Sequence, residues 1–391
     1  MSVMRAVSRR GFVGGVASAV GYLGLKPGGE VWAQGVSAAR AAALEQQADE
    51  YDSFAKLANN ENPYGPSDAM MTAMTKAWKY ANRYGYPDGG LVEKIAAHHG
   101  VSPSNIMLGA GSGEILDVVG ITFLAGGRKV IGVEPSYSSV YRQATTIRSE
   151  AITLPLLEDH RQDIDALIET TKRNYRDAGF VYLCNPNNPT GRTVSAREVR
   201  QLLDGIPEDV PVLIDEAYHH FVRDPEYATS VPHVLAGRNV IVARTFSKIY
   251  GMAGMRLGYA IATPGMIRRM RPYSTGTINA LVKWGGVAAL ADTESAERVR
   301  RVTLDLRDRT TSELTTMGYP VIPSEGNFFM VRIRRPVGPV IDEFRKKGVL
   351  VGRPFPPMLD HMRVSVGTPA EMTRFMTAFR GIFSGAVSTG G

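Results

Sequence analysis

A single cysteine, Cys184, in 391 residues rules out an intramolecular disulfide and a cysteine-ligated metal cluster. Blocks of consecutive lysine and arginine are also lacking, which excludes the electrostatic footprint of a nucleic-acid binder. The formal charge is +7, yet residues 1–33 hold Arg5, Arg9, Arg10 and Lys26 against Glu30 alone, so the remainder is only mildly basic. An arginine excess of that size suits small anionic ligands better than a polyanion. Apolar runs are short. The uncharged stretch 11–25 falls below the roughly 20 residues of a membrane-spanning helix, and it is rich in glycine. No internal repeat or low-complexity tract stands out. What is present is an ordinary globular composition, 44% hydrophobic and 21% charged, with length enough for one large or two medium domains.

The first 33 residues read as an address rather than as fold. Ser8-Arg9-Arg10-Gly11-Phe12-Val13 resembles the twin-arginine export signal of bacteria, followed by a weakly apolar segment and by Val31-Trp32-Ala33, which resembles a signal-peptidase site. The expectation is export in the folded state by the twin-arginine machinery, cleavage near Ala33 and a periplasmic mature protein. If the signal is not functional, the protein stays in the cytoplasm.

After an alanine-rich helix expected over about Ser37–Glu50, "KLANNENPYGPS" reads as an extended arm, because Pro63, Gly65 and Pro66 block regular structure. A helix from about Asp68 to Tyr80 is capped by Ser67. Seven short apolar runs then alternate with helical patterns: "NIML", "KVIGV", "AITLPL", "FVYLC", "VPVLI", "NVIVA" and "LGYAIA". This alternation predicts an α/β domain with a mostly parallel seven-stranded sheet, whose ligands gather at the carboxyl ends of the strands. Beyond residue 276 the pattern changes. A long charged helix over 293–317, with its arginines as a solvated face, leads into "NFFMVRI", a helix over 336–347, "GVLVG", "MRVSVG" and a last helix over 369–383. These suggest a smaller α+β domain. The organisation expected is signal 1–33, arm and helix 34–81 joining the small domain, large domain 82–276 and small domain 277–391.

The chemistry-bearing residues fall just after the strands. "NIML" runs into "GAGSGE" and a helix, a turn that offers free backbone N–H groups and a positive helix end to an anion. Glu114 replaces the third glycine of a dinucleotide motif, so that reading is set aside. "VLIDEAYHHF" ends a strand on Asp215, with Tyr218 three residues on. "VYLCNPNNPTG" turns through Asn188, and "VIVARTFSK" ends on Thr245, Ser247 and Lys248. Singly each is unremarked surface or turn chemistry; together they place an amine beside an anion cradle and opposite a carboxylate. That combination can hold pyridoxal 5'-phosphate as a Schiff base. His219-His220 suggests a metal pair, but neighbours on a strand point to opposite faces and no further ligand motif accompanies them, so no metal is expected. Cys184 reads as a small buried hydrophobe.

In this order the motifs "NENPYGPS", "GYPDGG", "GAGSGE", "NPNNPTG", "DEAY", "TFSKIYGMAGMRLGY", "GNFFMVR" and "MRVSVGT" resemble the fold-type I, class I/II aminotransferases, most closely the histidinol-phosphate aminotransferase branch, over roughly residues 54–380. The resemblance implies a pyridoxal phosphate-dependent transferase fold and assigns roles. Lys248 forms the imine and shuttles a proton. Asp215 faces the ring nitrogen, Tyr218 and Asn188 bond the phenolic oxygen, and Tyr137 stacks on the ring. Ser112, Gly113, Glu114, Thr245, Ser247 and Arg256 hold the phosphate. Tyr86 reaches the phosphate of a neighbouring subunit, which implies a homodimer with shared active sites. Arg363 and Arg353 meet the substrate's acid group, with Tyr64, Asn62 and Asn327 lining the pocket.

This chain has Gly113 where the family commonly carries an acidic residue, so a side-chain cap is lost while the backbone donor stays. The expected function is amino-group transfer between an amino acid or related amine and a 2-oxo acid. Its alternatives are histidinol-phosphate aminotransferase proper, a decarboxylase or lyase on the same fold, and a non-catalytic binding module. An exported enzyme would seldom meet the cytosolic intermediates of histidine synthesis.

Overall fold

The computed structural model describes residues 46–383; the expected export signal, its expected cleavage point and the start of the helix expected from Ser37 lie outside them. The described residues divide after Phe54 into two units, 46–54 and 55–383. In the first, residues 46–53 form a helix.

The second unit holds twelve strands among the described residues: β1 Ala55–Leu57, β2 Ile106–Gly109, β3 Lys129–Glu134, β4 Glu150–Pro155, β5 Ala178–Cys184, β6 Val212–Asp215, β7 Val240–Thr245, β8 Gly258–Ala262, β9 Val321–Ile322, β10 Phe328–Arg332, β11 Val349–Val351 and β12 His361–Ser365. The seven apolar runs read from the sequence are β2 to β8, and they make one sheet in the order β2-β8-β7-β6-β5-β3-β4. Neighbours run parallel except at β8, which is antiparallel to both β2 and β7. The sheet is α/β and mostly parallel, as its alternation with helices requires.

Alternation of side chains along each strand divides the core in two. On β5, where every residue is buried, Phe180, Tyr182 and Cys184 pack with the helices Gly111–Leu124, Ser139–Thr146 and Pro264–Met270. Val181 and Leu183 face the opposite layer, with the helices Asp68–Ala77, Leu91–His99, Ile164–Arg173 and Ala196–Gly205. Both faces are covered, which is why these strands read as unbroken apolar runs.

The remaining strands form a three-stranded antiparallel sheet, β12-β10-β9, and a parallel pair, β1 with β11. Their core takes Leu57, Phe329, Phe344, Phe375 and Phe379, an α+β layer. The long helix Thr293–Thr316 serves both cores: Val299 and Leu304 pack with the large sheet, and Leu314 with the small one. Before it, the helix Ala280–Ala291 packs on Asp68–Ala77, and Met70, Met74, Val282 and Ala289 join the large core.

Two expectations need correcting. The arginines of the helix Thr293–Thr316 are not all solvated: Arg307 is buried and donates to the Gly326 carbonyl at 2.9 Å. A guanidinium can bury its stem and satisfy a carbonyl that would otherwise lack a donor. Nor do His219 and His220 lie on a strand. β6 ends at Asp215, the pair opens the short 3₁₀ turn His219–Phe221, and the two rings lie 3.7 Å apart between centroids instead of on opposite faces.

Candidate active site

The carboxyl ends of β5, β6 and β7 converge with the start of the helix Gly111–Leu124 around a cavity of about 220 Å³. Strand register explains the meeting. Cys184 on β5 pairs with Asp215 on β6, and Asp215 with Ala243 on β7, so the residues that follow these strands share one edge. Ser112, Gly113, Tyr137, Asn188, Asp215, Tyr218, Thr245, Ser247, Lys248 and Arg256 all line the cavity.

One wall is built for an anion. β2 turns into the helix through Gly111, at φ +79, where a Cβ would collide with the Arg256 guanidinium. Gly258 on β8 is held as closely: a Cβ there would run into the backbone of Gly111 and Ser112. The helix therefore opens directly onto the cavity with its free N–H groups. Thr245 Oγ1 donates to Ser247 Oγ at 2.9 Å and accepts from the Ser247 N–H at 3.0 Å. Arg256 occupies the left-handed region at φ +59, uncommon for a side chain of its size. Its fork donates to the carbonyls of Ala253 at 2.8 Å and Ala110 at 3.3 Å.

Across from this wall sits Asp215, 3% exposed. Its Oδ1 accepts from the Ala217 N–H at 3.1 Å, and its Oδ2 from the Tyr182 hydroxyl at 3.5 Å. Burial pushes the carboxyl up to about 6, against the Ala217 bond and the charge of Lys248. A carboxylate so poorly paired is suited to a cationic ligand. Burial also pulls the Lys248 amine down to about 8, helped by Arg363 and opposed by Glu61 and Asp215. Its Nζ donates to the Asn59 carbonyl at 3.1 Å and lies 5.5 Å from the centre of the Tyr218 ring. The Tyr218 hydroxyl accepts from Asn188 Nδ2 at 3.3 Å and from Asn60 Nδ2 at 3.1 Å. Tyr137 turns a half-exposed ring into the same space, its phenol raised by burial and by Asp215.

Other residues singled out in the sequence lie elsewhere. Glu114 does not line the cavity. It accepts from the Ala110 N–H at 2.6 Å and from Thr275 and Ser274, bonds that outweigh burial and hold its carboxyl below the usual range. Tyr86 is outside the cavity, donating to the Ile278 carbonyl at 2.7 Å. Arg363 stands behind Asn188, with Nη1 donating to Asn188 Oδ1 at 2.6 Å and Nη2 to the Ala58 carbonyl at 2.5 Å. Burial lowers it to about 10, still charged at neutral pH, and its Nε has no partner. Arg353 is exposed and lies over the Phe355 ring at 4.2 Å, with Arg363 at 4.8 Å from the same ring. Asn62 and Tyr64 line a separate cavity beside the arm, and Asn62 donates to the Ile249 carbonyl at 2.9 Å. Asn327 donates to the Asn60 carbonyl at 3.0 Å, so it anchors the arm.

Sequence reasoning passed over Asn59, Asn60 and Glu61, although they adjoin or belong to the arm motif, and Asn187. The last ties the Tyr137 segment to the Asn188 turn: it accepts from Ser136 Oγ at 2.8 Å and donates to the Pro135 carbonyl at 3.1 Å. Its only signal was a second amide in "NPNNPTG".

The donor set has an anion cradle at one end, a cation-seeking carboxylate in the middle, and an amine with a phenol–amide pair beside it. It fits a phosphorylated pyridine aldehyde, pyridoxal phosphate, and none of the positions requires a metal.

Residues 52–379 match the family model described as aminotransferase class I and II. The chain is 38% identical over 334 residues to a histidinol-phosphate aminotransferase of Carboxydothermus hydrogenoformans, covering 83% of this chain and 90% of that one. It is 35% identical over 287 residues to an aromatic amino acid aminotransferase of Cutibacterium acnes, covering 73% and 80%. Among solved structures, the histidinol-phosphate aminotransferase of Sinorhizobium meliloti in complex with pyridoxal-5'-phosphate superposes with a TM-score of 0.79 at 26% identity, over 84% of this chain and 90% of that one.

Proposed function

The chain belongs to the class I and II aminotransferases, and from that premise we propose that its amino donor is an amino acid or related amine whose acid group is met by Arg363. It is a pyridoxal phosphate-dependent aminotransferase, moving an amino group between such a donor and a 2-oxo acid. The bound cofactor supplies an aldehyde that condenses with amines and a ring that draws electrons from the adjoining carbon. In this reading Ser112, Thr245, Ser247, Arg256 and the helix N-terminus grip the phosphate. Asp215 holds the proton on the ring nitrogen, and Tyr218 with Asn188 bonds the ring oxygen. The Lys248 amine carries the proton between the donor's α-carbon and the cofactor. A lysine drawn down to about 8 by burial keeps a larger neutral fraction near physiological pH than an ordinary lysine, and the neutral amine is the form a nucleophile and base must take. The observation that carries the assignment is that Lys248, Asp215 and Arg256 line one cavity.

A second reading, histidinol phosphate as donor, is favoured by the activity named for the relatives. A guanidinium binds phosphate as readily as carboxylate. Mixing the yellow holoenzyme with a panel of amino acids and histidinol phosphate separates the two. An acidic or aromatic amino acid with kcat/KM at least about tenfold above histidinol phosphate supports the first. The reverse order supports the second, and carbon dioxide release with no 2-oxo acid overturns both in favour of a decarboxylase.

The working unit we propose is a homodimer. Tyr86 is kept out of its own cavity, braced by the Ile278 carbonyl and by Lys283 5.3 Å from its ring centre. Trp78 and Tyr84 stand exposed nearby in the chain, as residues awaiting a second copy would. Export through the twin-arginine route is proposed on the sequence: Ser8–Val13, the weakly apolar segment after it and Val31-Trp32-Ala33. Replacing Arg9 and Arg10 together by lysine should leave the precursor in the cytoplasm on fractionation; unchanged secretion refutes the route.

A further inference from the structure

We propose that Tyr182 is a positioning residue for Asp215, its phenol holding one carboxylate oxygen and so setting how firmly Asp215 engages the ring nitrogen of the cofactor. Tyr182 lies mid-strand on β5 and is fully buried. Strand alternation puts it on the face of Cys184, which pairs with Asp215, and register sets it against Leu213. A phenylalanine would fill that place in an apolar layer without the burden of burying a hydroxyl. The hydroxyl instead donates to Asp215 Oδ2 at 3.5 Å, while the Ala217 N–H serves Oδ1 at 3.1 Å. With one protein donor on each oxygen, the carboxylate keeps lone pairs for a ligand in the cavity. The separation is long for such a bond, so the effect on the carboxylate is one of degree.

The same layer contains its own control. Tyr141 meets Tyr182 edge to face, 5.8 Å between centroids, and is also buried, but its hydroxyl donates to the Val133 carbonyl at 2.9 Å. Gly132 leaves the room for it, since a Cβ there would strike the Tyr141 hydroxyl. Two phenols thus fill one apolar layer and only one is aimed at the carboxylate. The other ionisable groups facing Asp215 are Lys248, Tyr137, Tyr218 and Cys184, with Glu216 next to it in the chain.

The proposal rests on Asp215 as the partner of the ring nitrogen, and one experiment separates the two. The pH titration of the lysine-bound cofactor's absorbance and the cofactor's affinity are measured on four holoenzymes: Tyr182→Phe, Tyr141→Phe, Asp215→Asn and wild type. Without the phenol, Asp215 holds a proton more tightly itself and leaves the ring nitrogen less positive. The imine then keeps its proton to higher pH. Tyr182→Phe should therefore raise the apparent pKa of the absorbance change by about half a unit and weaken cofactor binding about threefold, with Tyr141→Phe unchanged. A 3-fluorotyrosine at position 182, a stronger donor, should shift the titration the other way. Tyr182→Phe titrating as wild type, or both phenylalanine variants shifting alike, overturns the role of the phenol. If Asp215→Asn also titrates as wild type, the reading of Asp215 falls instead.

Discussion

A Lys248→Ala enzyme should lose turnover by about 10⁴-fold or more, since one amine both forms the covalent link and moves the proton, and positioned acid–base groups alone contribute about 10²–10⁴-fold. The cofactor should still bind, because Arg256, Thr245, Ser247 and Asp215 line the cavity independently of the lysine. Borohydride, which fixes an imine, should then leave the cofactor free to dissociate from the variant while fixing it in wild type. A variant that retains more than a hundredth of its activity sinks the assignment. The same lysine gives the cofactor-free protein a pH signature. Its folded value of about 8 lies below the usual 10.5, so the unfolded chain holds the proton more tightly. Folding is penalised in full below about pH 8, and the penalty fades as pH rises from there toward 10.5. Thermal melts of the cofactor-free protein should show wild type gaining on Lys248→Ala across that interval.

Arg244→Met should destabilise the protein by about 3–5 kcal/mol, the range for removing one partner of a buried ion pair. Arg244 is 3% exposed and its Nη2 lies 2.6 Å from Glu216 Oε2, whose side chain is wholly buried. The same nitrogen donates to Thr229 Oγ1 at 2.8 Å, and the fork also meets the His219 ring. Alternation turns these residues to the face opposite their chain neighbours: Asp215 and Thr245 look into the cavity, Glu216 and Arg244 behind it. The pair pins together the ends of β6 and β7, on which the carboxylate and the phosphate cradle stand. After the substitution Glu216 keeps the Ser230 N–H at 2.7 Å and Thr229 Oγ1 at 3.0 Å, but it has lost its counter-charge. Denaturant unfolding of Arg244→Met, and of the double variant with Glu216→Leu, checks this. The double variant should recover most of the loss, because two apolar side chains leave no buried charge alone. A single variant within about 1 kcal/mol of wild type would contradict it.

What was legible in the sequence follows from range. The large sheet was readable because its inner strands are buried on both faces and each signals itself in a short apolar run, while β4, part-exposed at the edge, still carries Ile152 and Leu154. Most of the residues that line the cavity were readable because they sit close to strand ends inside local motifs. Arg307 was not, since it looks like any other arginine of a charged helix until Gly326 is folded against it. His219 and His220 were misplaced because strand alternation was applied to a pair that lies beyond Asp215, where the strand ends and a tight turn takes over. Asn60 was passed over because its partners are remote: its N–H donates to Ser365 Oγ, 305 positions along the chain, at 2.7 Å. Tyr182 reads as one more large residue in a buried strand, and nothing local reveals where its hydroxyl points.

The guanidinium of Arg363 leans on Ala58 from the arm and on Asn188 from the β5 turn, so the proposed role of Arg363 at the donor's acid group would tie selectivity to the path of the arm. A change of backbone path at Ala58 would re-aim that arginine, whereas Asn59 and Asn60 beside it are bonded to Lys248 and Tyr218. Drift in amino-donor preference along this short peptide at the rim, in evolution or in a library, would therefore be confined to Ala58, since its neighbours also steady Lys248 and Tyr218.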